Sequence, residues 1–124
     1  MPAVEALQGL RVVADPAALD AVAVALPAGT TTLRFAPDEA LILGLASLGL
    51  DDPDAIVEAD AGWSAVTVER AIVERHTEWA LPAGGEVAQG AVAGVPAKLA
   101  WLPDGRAWVV VQTVYLADLL DRLT

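Results

Sequence analysis

Few side chains in this 124-residue chain are suited to chemistry, and each needs company of a particular kind. His76 is the one histidine, with Glu69, Glu74 and Glu78 near it in sequence. On a helix Glu74 and Glu78 stand two residues away and project elsewhere. No His-Glu-x-x-His spacing is present, so a histidine on an ordinary helix face is expected. Asp51, Asp52 and Asp54 invite calcium, but Asp-Asp-Pro-Asp lacks the alternating spacing and the distal glutamate of a calcium loop. A solvated loop is expected there. Ser47 and Ser64 have no Gly-x-Ser-x-Gly context, and with no cysteine in the chain no nucleophile is indicated. Glu58 and Asp60 alternate on a strand and share a face, as an acid–base pair does and as a solvated strand does far more often. The glycine-bearing stretches PAGGEVAQG and VAGVPAK follow neither phosphate-cradle order, and the sole lysine, Lys98, falls inside a strand. Arg106 beside Asp104 reads as turn chemistry. No catalytic, cofactor-binding or metal-ligating residue emerges.

The four tryptophans are the remaining candidates. Trp101 and Trp108 lie in apolar runs and are expected in the core. Trp63, beside Gly62, and Trp79, next to Leu81-Pro82, are better placed for exposure, as the surface that meets a partner or a planar ligand.

The elements that must position these residues are punctuated by turn chemistry. Asp15 before Pro16 is an N-cap followed by proline at the first helical position, with Leu19, Val22 and Leu26 at helical spacing before Pro27 and Gly29. Leu10–Ala14 reads as a short edge strand. Thr31–Phe35 and Ala40–Leu43 form a hairpin across Pro37-Asp38. A variable loop follows Gly44. Ala55–Ala59 and Ala65–Val68 read as a second strand pair turning at Asp60-Ala61-Gly62. A helix is expected from Glu69 to Trp79, stopped by Leu81-Pro82-Ala83-Gly84-Gly85. A strand over Val87–Ala93 leads to the hairpin PAKLAWLPDGRAWVVVQ, residues 96–112. The last helix is expected over Thr113–Leu123, with Thr113 as N-cap and Val114, Leu116, Leu119, Leu120 and Leu123 as its buried stripe. Leu33, Phe35, Pro37, Asp38, Ile42 and Leu43 also match Leu99, Trp101, Pro103, Asp104, Trp108 and Val109 at one constant offset. The expected fold is therefore α+β, a single domain over residues 1–124 with antiparallel hairpins, about three helices on one side and two pseudo-repeated halves.

Composition narrows the function classes. A net charge of −10, with seven basic residues, disfavours nucleic acid and anionic membrane surfaces. No apolar run approaches the roughly 20 residues of a membrane span. The N-terminus lacks a signal-peptide pattern, so a cytoplasmic location is expected. Apolar residues make up 56% of the chain, above the usual range of about 45–50%, and part of that excess suits a buried interface.

The ordered set PDEALILG, IVEADAGWSAVTV, a helix, and LPAGGEVAQGAVAGVPAKLAWLPDGRAWVVVQTVYLADLLDRL resembles the gamma subunit of heterotetrameric sarcosine oxidases. That subunit sits in the wider group with the folate-binding fold of the glycine-cleavage T-protein. The resemblance covers residues 31–124 and is densest from Leu81 on, at Pro82, Gly84, Gln89, Ala93, Gly94, Val95, Pro96, Tyr115 and Leu119. It implies a subunit with no cofactor of its own that packs against a larger flavoprotein subunit, the flavin, nicotinamide and folate chemistry lying in other subunits. A homo-oligomer is the expectation when the chain is alone. T-protein-like enzymes carry an acidic pair where this chain has Ala97 and Lys98, which argues against aminomethyl transfer. The alternative is a stand-alone domain for a folate-like small molecule.

Overall fold

The computed structural model describes residues 3–83 and 86–123. Gly84 and Gly85, read above as part of the helix stop, lie outside the described residues. Among the described residues, seven strands and three α-helices follow in the order β1 (Ala3–Val13), α1 (Pro16–Ala23), β2 (Thr31–Ala36), β3 (Glu39–Leu43), β4 (Ile56–Val68), α2 (Arg70–Arg75), β5 (Ala88–Val92), β6 (Val95–Trp101), β7 (Ala107–Gln112) and α3 (Leu116–Arg122), with a 3-10 turn at Thr113–Tyr115. The strand order is β2-β3-β1-β4-β7-β6-β5 and the hairpin pairings are antiparallel, an α+β fold. The chain divides into two compact units, Gln8–Ala61 and Met1–Leu7 with Gly62–Thr124.

In the unit Gln8–Ala61, the Asp15 carboxylate accepts from the Ala17 N–H at 3.0 Å and Pro16 opens α1, as the sequence dictates. The helix ends at Ala23, three residues short of Leu26. Leu19 buries against Leu10, Val12, Ala14, Ala40 and Ile42, while Val22 and Leu26 are partly buried beside them. Arg34 fastens the helix to the hairpin, donating to Asp20 at 2.7 Å and to the carbonyls of Pro16 and Pro37. Asp52 binds the start of α1 from the loop. Its carboxylate accepts from the backbone N–H of Asp15 at 2.8 Å and of Asp54 at 3.0 Å. Those two bonds, Asp15 first, hold it below the usual carboxylate range. The aspartate run is thus a loop anchor.

In the other unit, α2 and α3 lie on one face of the sheet. Val73 and Leu119 are fully buried there with Val66, Val92, Leu99, Val109 and Val111, and Ile72, Leu116 and Leu120 pack around them. The β5–β6 hairpin turns on Ala93-Gly94, both at positive φ (51° and 77°), the geometry of a two-residue hairpin whose twist matches its strands. Ala93 is held in this disfavoured region by its N–H donating to the His76 carbonyl at 2.7 Å and by its carbonyl accepting from Arg122 at 2.8 Å. The β6–β7 turn is closed by Asp104, which accepts from the backbone and the guanidinium of Arg106 and is held below the usual carboxylate range by them.

Four expectations are corrected. The segment read as a short edge strand over Leu10–Ala14 is, up to Val13, the end of an 11-residue strand lying between β3 and β4. The supposed strand pair around Asp60-Ala61-Gly62 is one continuous strand, β4. The helix expected to reach Trp79 is six residues long, with His76 at its C-cap. Thr113 opens a 3-10 turn whose N-cap is Gln112, and its hydroxyl is within 2.8 Å of the Ser64 hydroxyl, while Val114, assigned to the buried stripe, is 78% exposed. The repeat is also shifted. Both units carry a strand, a helix and a hairpin in that order, but the row facing the helix is Val12–Ala40–Arg34 in one and Val66–Val109–Leu99 in the other. The constant offset equates Leu33 with Leu99, which occupy opposite faces with respect to their helices.

Candidate functional site

Strand alternation decides which side chains meet. On β6, Val95, Ala97 and Leu99 enter the helix-covered core, so Pro96 and Lys98 project from the opposite face. Lys98 pairs with Gln89 on β5 and with Val110 on β7. On β4, Val66 and Val68 face the helices, so Trp63, two residues from the fully buried Ala65, shares the face of Lys98, opposite Gln112 on β7. Ala91, opposite Pro96, is the small residue on this face, and the backbone at Gly90 and Ala97 forms part of the floor between these longer side chains. The result is a groove of about 560 Å³ in the unit that holds Gly62–Thr124, bounded by Trp63, Gln89, Lys98, Gln112, Tyr115 and Pro96.

The Lys98 ammonium lies 5.4 Å from the centre of the Trp63 ring, within reach of the attraction between a cation and an aromatic face. It stands 3.5 Å from the Gln89 carbonyl oxygen. Tyr115, 37% exposed, ends the 3-10 turn that follows β7. No Asp or Glu lines this groove, in a chain with seventeen of them. The groove offers a cation, two side-chain amides, a phenol and a flat apolar surface, and no nucleophile beyond the lysine itself. A cavity of about 430 Å³ in the unit Gln8–Ala61, beside Gln8, Gly44, Leu45 and Asp60, presents no comparable set.

Trp63 and Trp79 are not brought together. Trp79 lies on the helix-covered face, packed against the core cluster, with its indole N–H donating to the Ala91 carbonyl at 2.9 Å. A Cβ placed on Gly90 would come within 2.6 Å of its ring, so Gly90 is the seat of that indole. Trp108 is buried, as expected, and donates to Glu5 at 3.0 Å. Trp101 is half-buried under the Arg70 guanidinium, 4.7 Å from its ring centre. His76 Nδ1 lies 2.8 Å from the Ile72 carbonyl, a helix-end bond. Among the described residues no group of three or more His, Cys, Asp or Glu is placed to hold a metal ion. Ala97 is buried in the core and Lys98 enters the groove, so no carboxylate occupies the positions where the resemblance puts the T-protein-like acidic pair.

Sequence reading missed Lys98, Gln89, Gln112 and Tyr115 as a set. The signal was available for Lys98, which alternates with buried Ala97 and Leu99. Trp63 joins it only when β4 is read through Gly62 without a turn.

No family model matches the chain, and no curated protein sequence matches it. Among solved structures, a chain of the heterotetrameric sarcosine oxidase from Corynebacterium sp. U-96, in complex with pyrrole 2-carboxylate, superposes over 99% of this chain and 80% of its own. The TM-score is 0.78 and the sequence identity 13%, which is a likeness of fold. Among the described residues no helix is long and apolar enough to cross a membrane.

Proposed function

We propose that this chain is a non-catalytic subunit of a sarcosine-oxidase-like flavoprotein complex, held against a larger subunit. The observation that carries this reading is the likeness of fold, over 99% of the chain, to one chain of a heterotetrameric oxidase. The order of weak motifs in the sequence points the same way, and the absence of a carboxylate at Ala97 and Lys98 removes the group an aminomethyl transfer would need. We put the partner contact on the Trp63 side, where Tyr115 adds partly exposed aromatic surface. The interface should bury well over about 800 Å² per partner. Purified without its partner, the chain should self-associate through the same surface.

Gentle purification of the tagged protein from its source, with mass spectrometry of whatever co-elutes, tests this directly. A stoichiometric flavin-containing oxidase subunit is the expected result, and sarcosine-type oxidation then becomes the assay. A chain that elutes alone overturns the reading. In that event a stand-alone domain for a folate-like small molecule is favoured, because the groove beside Trp63 has the volume for one. Quenching of tryptophan fluorescence by a reduced folate at micromolar concentration supports that alternative, and silence up to millimolar removes it.

A further inference from the structure

We infer that the groove between Trp63 and Lys98 is a binding site selective for planar organic carboxylates. The first ground is charge. The chain is strongly acidic, yet its single lysine stands in this groove and none of its seventeen carboxylates lines it. A field of that sign over most of the molecule repels anions, so a local cationic pocket is where an organic anion finds complementary potential. The second ground is shape and chemistry. The Trp63 indole and the Pro96 ring supply apolar surface for a flat body, while Lys98 supplies the ammonium and Gln89 and Gln112 supply amide N–H donors for carboxylate oxygens. Convergence of a few polar groups on an otherwise apolar groove of this size is what a small-molecule site requires. The third is local rigidity. Lys98 and Gln89 pair across β5–β6 and Trp63 and Gln112 across β4–β7, so four of these groups project from paired strands.

This inference shares with the folate-like alternative the groove and a flat, carboxylate-bearing ligand, and differs in resting on discrimination of the carboxylate itself; it concerns the chain free of the larger subunit, whose proposed contact lies on the same Trp63 side. Its test uses the intact chain and a matched pair of probes, 2-naphthoate and its neutral isostere 2-naphthamide. Each is titrated into ¹⁵N-labelled protein while the Trp63 indole and the Gln89 and Gln112 side-chain amides are followed by NMR. The expected result is saturable shifts at those three side chains with 2-naphthoate, at least about tenfold tighter than with the amide. Lys98→Met should reduce naphthoate affinity to that of the amide and leave the amide unchanged, whereas Lys98→Arg should keep the preference. Equal affinity for acid and amide in the wild-type protein overturns the inference without recourse to any variant. So do shifts confined to Trp79, Trp101 or Trp108, or no saturation by about 10 mM. A folate titration without response beside discriminating naphthoate binding removes the folate-like alternative alone. A folate response without acid-over-amide discrimination removes this inference alone.

Discussion

At the scale of single residues, two positions show backbone geometry constraining side-chain identity. Ala93 adopts a left-handed conformation that costs an L-residue with a Cβ roughly 1–2 kcal/mol, and it heads a two-residue turn in which asparagine is favoured. Ala93→Asn should therefore stabilise the protein by about 1 kcal/mol in urea denaturation. An unchanged or lowered midpoint would show that His76 and Arg122 already offset the strain. Gly90 is the opposite case, a strand position where any side chain meets the Trp79 indole. Gly90→Ala should cost about 1–3 kcal/mol, and most of that cost should vanish in a Trp79→Ala background. If the two costs simply add, the indole is not the obstacle. Trp79 thus acts as a packed core residue with a hydrogen-bonding handle, and Trp79→Asp should lower stability. Trp63→Asp should leave the fold intact and weaken assembly with the larger subunit, read by co-purification yield; normal yield would mean that the contact lies elsewhere.

At the scale of elements, the sequence was most legible where a side chain closes a local bond with its own neighbourhood. Asp15-Pro16 starts α1, Pro37-Asp38 turns the β2–β3 hairpin and Asp104-Gly105-Arg106 turns β6–β7, each as the residue types require. Legibility failed where non-local pairing overrides local preference. Asp60-Ala61-Gly62 has turn composition, but it lies within β4, whose paired residues from Trp63 on match β7 one for one. The reading of β1 as a short edge strand failed for a related reason, since its first residues are mostly exposed and carry no alternating pattern. Losing β4 also hid the groove, because the parity that joins Trp63 to Lys98 runs through that strand. The loop anchor at Asp52 has a consequence in pH. Its carboxyl titrates lower in the folded state than in the unfolded chain. The stabilisation it gives is complete above the unfolded value of about 3.9 and is lost as pH falls through the lower folded value. Urea midpoints of wild type and Asp52→Asn should differ by a constant amount well above the unfolded carboxylate value and draw together as pH falls below it. A gap that persists at the acid end would mean that the anchor does not depend on charge.

At the scale of the whole molecule, the two units differ in how the chain builds them. Gln8–Ala61 is one uninterrupted segment, whereas the other unit needs residues from both ends of the sequence, Met1–Leu7 together with Gly62–Thr124. The bond from the Trp108 indole to Glu5 spans 103 positions, the longest separation among the side-chain bonds described above. The charge asymmetry that marks the groove belongs to this scale as well, since it is visible only against the −10 of the entire chain. During synthesis the first strand leaves the ribosome long before its last partners exist. At about 5–20 residues per second, Glu5 waits on the order of 5–20 s for Trp108 to be made. Over that interval the continuous unit can close and β4, the neighbour of β1 in the sheet, is already made, while the β7 strand that carries Trp108 is not. The discontinuous unit is therefore the last to complete on the ribosome, its earliest residues waiting for its latest strand.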